Sequence, residues 1–120
     1  EDLPNGESLS DAINAGNELN IECQLINCLA MDCVTQQIET LKESENFGVF
    51  ANSSVLEHPV TDLGPDCDID INHHSNTKTV SPKEYAEEAK KWIEAGAYVV
   101  GGCCSTGPEH IKEISNLLLD

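Results

Sequence analysis

The chain has 120 residues, enough for a single hydrophobic core that buries about two-thirds of the unfolded surface. Its formal net charge is −16 and its six basic residues are all lysines, which argues against DNA, RNA or an anionic membrane as a partner. No apolar run approaches the roughly 20 residues that span a bilayer, and the opening EDLPNGESLSD is unlike a signal peptide, so the expected setting is cytoplasmic.

From Ser8 to Gly16, apolar Leu9, Ala12 and Ile13 recur at helical spacing before a glycine stop. A strand is expected over Asn20 to Asn27, then a helix from about Cys33 to Ser44 with Val34, Ile38 and Leu41 on one face. FGVFA at 47–51 reads as a short strand buried on both faces. Leu56 to Thr79, rich in Asp, Asn and His, reads as a loop. Ser81-Pro82-Lys83-Glu84 has the form of a capping box, and the helix it opens carries Tyr85, Ala89, Trp92 and Ile93 inward before stopping near Gly96. AYVVG at 97–101 gives a third strand. Thr106-Gly107-Pro108-Glu109 repeats the capping logic before a last helix with Ile111, Ile114 and Leu118. Helices alternating with strands predict α/β units around a parallel sheet.

Six cysteines stand at 23, 28, 33, 67, 103 and 104. An even number allows a secreted disulfide framework. Such scaffolds are usually shorter and denser in Cys, however, and adjacent Cys103 and Cys104 could bridge each other only through a strained ring. In a reducing compartment the pair reads better as metal ligands or reactive thiols. In parallel α/β folds functional groups gather where strands give way to helices. Cys28 follows the first strand, and Cys103 and Cys104 follow the third. Three thiolates with a free fourth position are the arrangement of a catalytic zinc. Gly101 and Gly102 would let the backbone pack tightly around the ion, and the N-terminal end of the last helix would favour the anionic sulfurs.

INC at 26–28, FGVFANSS at 47–54, SPKEYAEEAKKWIEAGA at 81–97 and GGCCSTGPEHI at 101–111 resemble, in order, the C-terminal part of the zinc-dependent homocysteine S-methyltransferase family. That family includes betaine–homocysteine methyltransferases and the homocysteine-binding module of methionine synthase. The resemblance implies a (β/α)8 TIM barrel with parallel strands, of which residues 1–120 would supply about three β/α units, strands six to eight, as a partial homocysteine-binding domain. It implies Zn2+ held by Cys28, Cys103 and Cys104, with a methyl group transferred from a small-molecule donor to the homocysteine thiolate to give methionine. The methyl donor is not specified by these motifs. Asn27 and Asn52, at strand ends, would bind substrate or buttress the ligands; as ordinary turn residues they would do neither.

The chain departs from the family in length, since a complete barrel needs roughly 250 residues. The alternative is therefore a non-enzymatic zinc- or thiol-binding fragment, inactive without the N-terminal part and prone to self-association through open strand edges. Ser105 stands where the family commonly has Gly. Cys23, Cys33 and Cys67 read as packing or incidental residues, His73 and His74 as solvated, and His110 as a local hydrogen-bonding group. Asn52-Ser53-Ser54 matches a glycosylation sequon by chance. Trp92 reads as core, and Glu84 to Glu88 as a solvated face.

Overall fold

The structure, a computed structural model, describes Leu3 and residues 6–57 and 77–119. Its elements in chain order are α1 (Leu9–Glu18), β1 (Gln24–Ala30), α2 (Met31–Gln36), α3 (Ile38–Leu41), β2 (Phe47–Asn52), β3 (Ser54–Leu56), β4 (Thr77–Thr79), α4 (Pro82–Glu94), β5 (Val99–Gly102) and α5 (Pro108–Leu119). The fold is α/β, as expected. β1, β2 and β5 form a parallel sheet in that order, and β3 and β4 form a separate antiparallel pair. The stretch expected to be loop ends in β4, and β3 precedes it, sharing only Leu56. Cys67, His73 and His74 lie outside the described residues.

α1 begins as the sequence indicates, with the Ser8 side chain accepting from the Asp11 N–H. It does not stop at Gly16. The Gln24 side chain lies against Gly16 where a Cβ would stand, and its amide donates to Ile13 O at 3.1 Å and Asn17 Oδ1 at 3.0 Å. Gly16 is therefore a packing residue. The stop comes from Asn20, whose φ of 59° is left-handed, a conformation Asn tolerates at a helix end. The expected second helix is broken at Gln37 into α2 and α3, yet Val34, Ile38 and Leu41 are all buried.

Register sets the two faces of the sheet. Ile26, Val49 and Val100 pair laterally and share one face by the two-residue period of strands. Val49 is fully buried, and Ile26 and Val100 pack against the core. The other face carries Leu25, Asn27, Phe50 and Val99, of which Leu25, Asn27 and Val99 are exposed. A Cβ at Gly101 would come within 2.8 Å of the Phe50 ring, and one at Gly48 within 2.8 Å of Leu25. Gly101 thus makes room for an aromatic ring and Gly102 for Thr106, rather than for an ion as their position suggested.

α4 has the expected capping box between Ser81 and Glu84, with Pro82 in its first turn, and Gly96 at φ 107° lies just beyond its end. Tyr85, Ala89 and Trp92 are fully buried, and the Tyr85 and Trp92 rings meet edge to face at 5.8 Å. Trp92 Nε1 donates to Thr35 Oγ1 at 2.9 Å, which ties α4 to α2. Truncating such a ring to Ala costs about 3–5 kcal/mol. At α5 the cap differs from expectation: the Gly107 N–H donates to His110 Nδ1 at 3.0 Å, so His110, not Glu109, closes the first turn. Of the three apolar residues expected on α5, Ile114 is buried, while Ile111 and Leu118 are exposed. Among the described residues no helix is long and apolar enough to cross a membrane.

Candidate metal centre

Cys28 lies inside β1, at an irregularity of the ladder. Asn27 pairs with Phe50 and Ala30 with Asn52, so Cys28 and Leu29 together stand opposite Ala51. This extra residue bulges the strand, a device that re-aims a side chain. Cys28 has a φ of 63°, left-handed and unusual for a residue with a Cβ.

The double cysteine follows β5 and is held by the end of β2. Cys103 N–H donates to Ala51 O at 3.0 Å, continuing the ladder. The next ladder position is taken by a side chain, as Cys104 N–H donates to Asn52 Oδ1 at 2.9 Å. Ser53 N–H donates to Cys104 O at 3.2 Å, and Ser53 Oγ donates to Ser105 O. Thr106 Oγ1 donates to Cys103 O at 2.6 Å. Ser105 takes φ 63° within this turn. Behind it, the Tyr85 hydroxyl lies 2.8 Å from both Ala51 O and Gly101 O, so its one proton is shared between neighbouring strands.

These backbones bring the three expected thiols together. The sulfurs of Cys28, Cys103 and Cys104 all lie within 4.8 Å of one another, the one cluster of three or more potential metal-ligating side chains among the described residues. Cys28 and Cys103 are paired as a disulfide with their Cα atoms 5.5 Å apart, and Cys104 Sγ lies 3.8 Å from Cys28 Sγ. Two sulfurs each about 2.3 Å from a tetrahedral zinc stand about 3.8 Å apart, so the Cys28 and Cys104 positions fit that ion. Cys28 and Cys103 are half-buried and Cys104 is exposed, which leaves the cluster reachable from solvent. A disulfide and a metal compete for the same sulfurs, since only thiolates ligate.

Asn52 is buried and bound to the double-cysteine turn, which leaves little access for a glycan. Asn27 is exposed on the face it shares with Phe50. Cys23 is half-buried, and burial together with the neighbouring Glu22 charge pushes its thiol pKa up. Cys33 is fully buried and disulfide-bonded. His110 is buried edge-on to Tyr85 at 5.6 Å, as a local hydrogen-bonding group. Ser53 and Tyr85 were not foreseen near the site. A Tyr rather than Phe at a core helix position does signal a hydroxyl with a partner; nothing local marks Ser53.

The model of the family described as Homocysteine S-methyltransferase matches residues 1–118. The chain is 33% identical over 94 residues to homocysteine S-methyltransferase YbgG of Bacillus subtilis, covering 75% of this chain and 25% of that protein. It is 28% identical over 116 residues to homocysteine S-methyltransferase 1 of Brassica oleracea, covering 96% of this chain and 33% of that one. With YMR321C of Saccharomyces cerevisiae it shares 29% identity over 107 residues, covering 89% of this chain and 90% of that one. The chain therefore spans about a quarter to a third of the length of the two methyltransferases. A match over nearly every residue, with the three thiols converging in space, has one consequence: the chain belongs to the homocysteine S-methyltransferase family.

Proposed function

We propose that this chain supplies the three-cysteine zinc site of a homocysteine S-methyltransferase, corresponding to strands six to eight of a (β/α)8 barrel. The observation that carries the reading is the meeting of Cys28, at the bulge in β1, with Cys103 and Cys104, just after the parallel strand β5. A zinc ion bound there would supply Lewis acidity, favouring the thiolate form of a substrate thiol. Cys28, Cys103 and Cys104 would hold that ion through their sulfurs. The methyl group passes from a small-molecule donor to the homocysteine sulfur, a carbon–sulfur bond forming as the bond from methyl to the donor breaks. Asn27, which is exposed and adjacent to Cys28, would meet the substrate.

A site of three free thiolates needs a reducing setting, which favours the cytoplasm. β1 and β5 are edge strands of the described sheet, and Leu25 and Val99 are exposed on it. These features favour a chain that works together with further barrel strands and is poorly active alone.

Cobalt(II) loaded into the reduced protein reports the coordination sphere. Homocysteine should change its visible ligand-field bands, and homoserine, identical but for the thiol, should not. An equal response to both, or to neither, would overturn the reading.

A further inference from the structure

We infer that Asn52 and Ser53 are positioning residues of the metal centre, a clasp that holds the adjacent ligands Cys103 and Cys104 in their ligating conformation; the inference rests on the zinc-site reading above. Two consecutive residues of a regular strand point to opposite faces, so Cys103 and Cys104 can serve one ion only if the backbone between and after them leaves the strand path. It does so: Ser105 is left-handed, and the Cys104 N–H meets a side chain instead of a ladder carbonyl.

The oxygen that meets it, Asn52 Oδ1, belongs to a residue 3% exposed, and Ser53 is 0% exposed. All three polar groups of Ser53 are used. Its N–H donates to Cys104 O, its hydroxyl to Ser105 O, and its own carbonyl accepts from Val80 N–H at 3.0 Å. The clasp thus links the peptide groups on both sides of Cys104 to β2 and to the segment after β4. Hydrogen bonds behind metal ligands fix ligand orientation, and their loss typically lowers metal affinity 10–100-fold. Asn52 thereby acts through Cys104, and its burial sets it behind the sulfurs rather than beside a substrate.

The test is Co2+ and Zn2+ affinity, by competition with a chromophoric chelator, on the reduced chain and on Asn52→Leu, Ser53→Ala and Ser54→Ala. Ser54 is buried on β3 and has no part in the turn, so it reports the cost of losing any buried hydroxyl here. Asn52→Leu and Ser53→Ala should bind about 10–100-fold more weakly, with weakened thiolate-to-cobalt charge-transfer bands. Ser54→Ala should match the parent in both. Melting temperatures measured alongside separate affinity from folding, and Ser53→Ala, which removes one oxygen, serves if Asn52→Leu does not fold. Parent protein that binds metal no more tightly than the two clasp variants overturns the clasp while leaving the zinc site. Parent protein that takes up no metal after reduction overturns both.

Discussion

Cys28 and Ser105 share one backbone conformation, left-handed with φ 63°. One lies at the β1 bulge and the other in the turn after the double cysteine. Left-handed geometry costs a residue with a Cβ about 1–2 kcal/mol, and glycine escapes most of that at some entropic cost in the unfolded chain. At Ser105 the structural need is for the carbonyl, which accepts from Ser53, so the side chain is dispensable to the turn. Ser105→Gly should stabilise the reduced protein by up to about 1 kcal/mol. The midpoint of denaturant unfolding measures it, and a decrease in stability would show that the Ser105 hydroxyl has a role in the turn.

Metal content should follow the redox state of the thiols. Reduced protein should hold about one zinc per chain, and Cys28→Ala and Cys104→Ala should each lose it. Oxidation should release the metal as the Cys28–Cys103 disulfide forms, with Cys104 still open to alkylation. Elemental analysis with thiol counting decides; zinc retained after full oxidation would place the ion elsewhere.

Tyr85→Phe should cost about 1–3 kcal/mol, because Ala51 O and Gly101 O lose a shared buried donor. Burial pushes the Tyr85 phenol well above its ordinary pKa, against a smaller lowering by the bond to Ala51. A phenol raised in the folded state contributes stability that is complete below about pH 10, its unfolded value, and is lost as pH rises toward the folded one. Alkaline unfolding monitored by phenolate absorbance should show Tyr85 ionising only as the protein unfolds. A Tyr85 phenolate formed in protein that is still folded would contradict this.

At the other end of the pH scale stands Glu84. Hydrogen bonds from the Ser81 backbone N–H, then from its hydroxyl, hold the Glu84 carboxyl below the usual range. A lowered carboxyl contributes stability present above its unfolded pKa and lost as pH falls through the folded one. Ser81→Ala should cost about 1 kcal/mol at neutral pH and return the Glu84 titration, followed by NMR, toward an ordinary value. A Glu84 pKa unmoved by the change would mean that the capping box is not formed in solution.

Local signals were enough for the elements whose causes are local. The box at Ser81, the apolar run at 47–51 and the spacing of Val34, Ile38 and Leu41 identify α4, β2 and the buried face of α2 and α3, because capping and periodicity act over a few residues. The motifs around Cys28 and Cys103-Cys104 pointed to the same three sulfurs that the fold gathers. What local pattern could not decide depends on residues distant in the chain. Gly16 looked like a stop but makes room for Gln24, and Gly101 looked like part of an ion's cradle but makes room for Phe50. Cys28 stands in a bulge created by its register against β2. The buried duties of Asn52, Ser53 and Tyr85 arise only when β2, β5 and α4 meet. Sequence alone thus determined which side chains could bind a metal; only the packing of those elements decided which polar groups hold them there, since each such bond spans chain segments that only folding brings together.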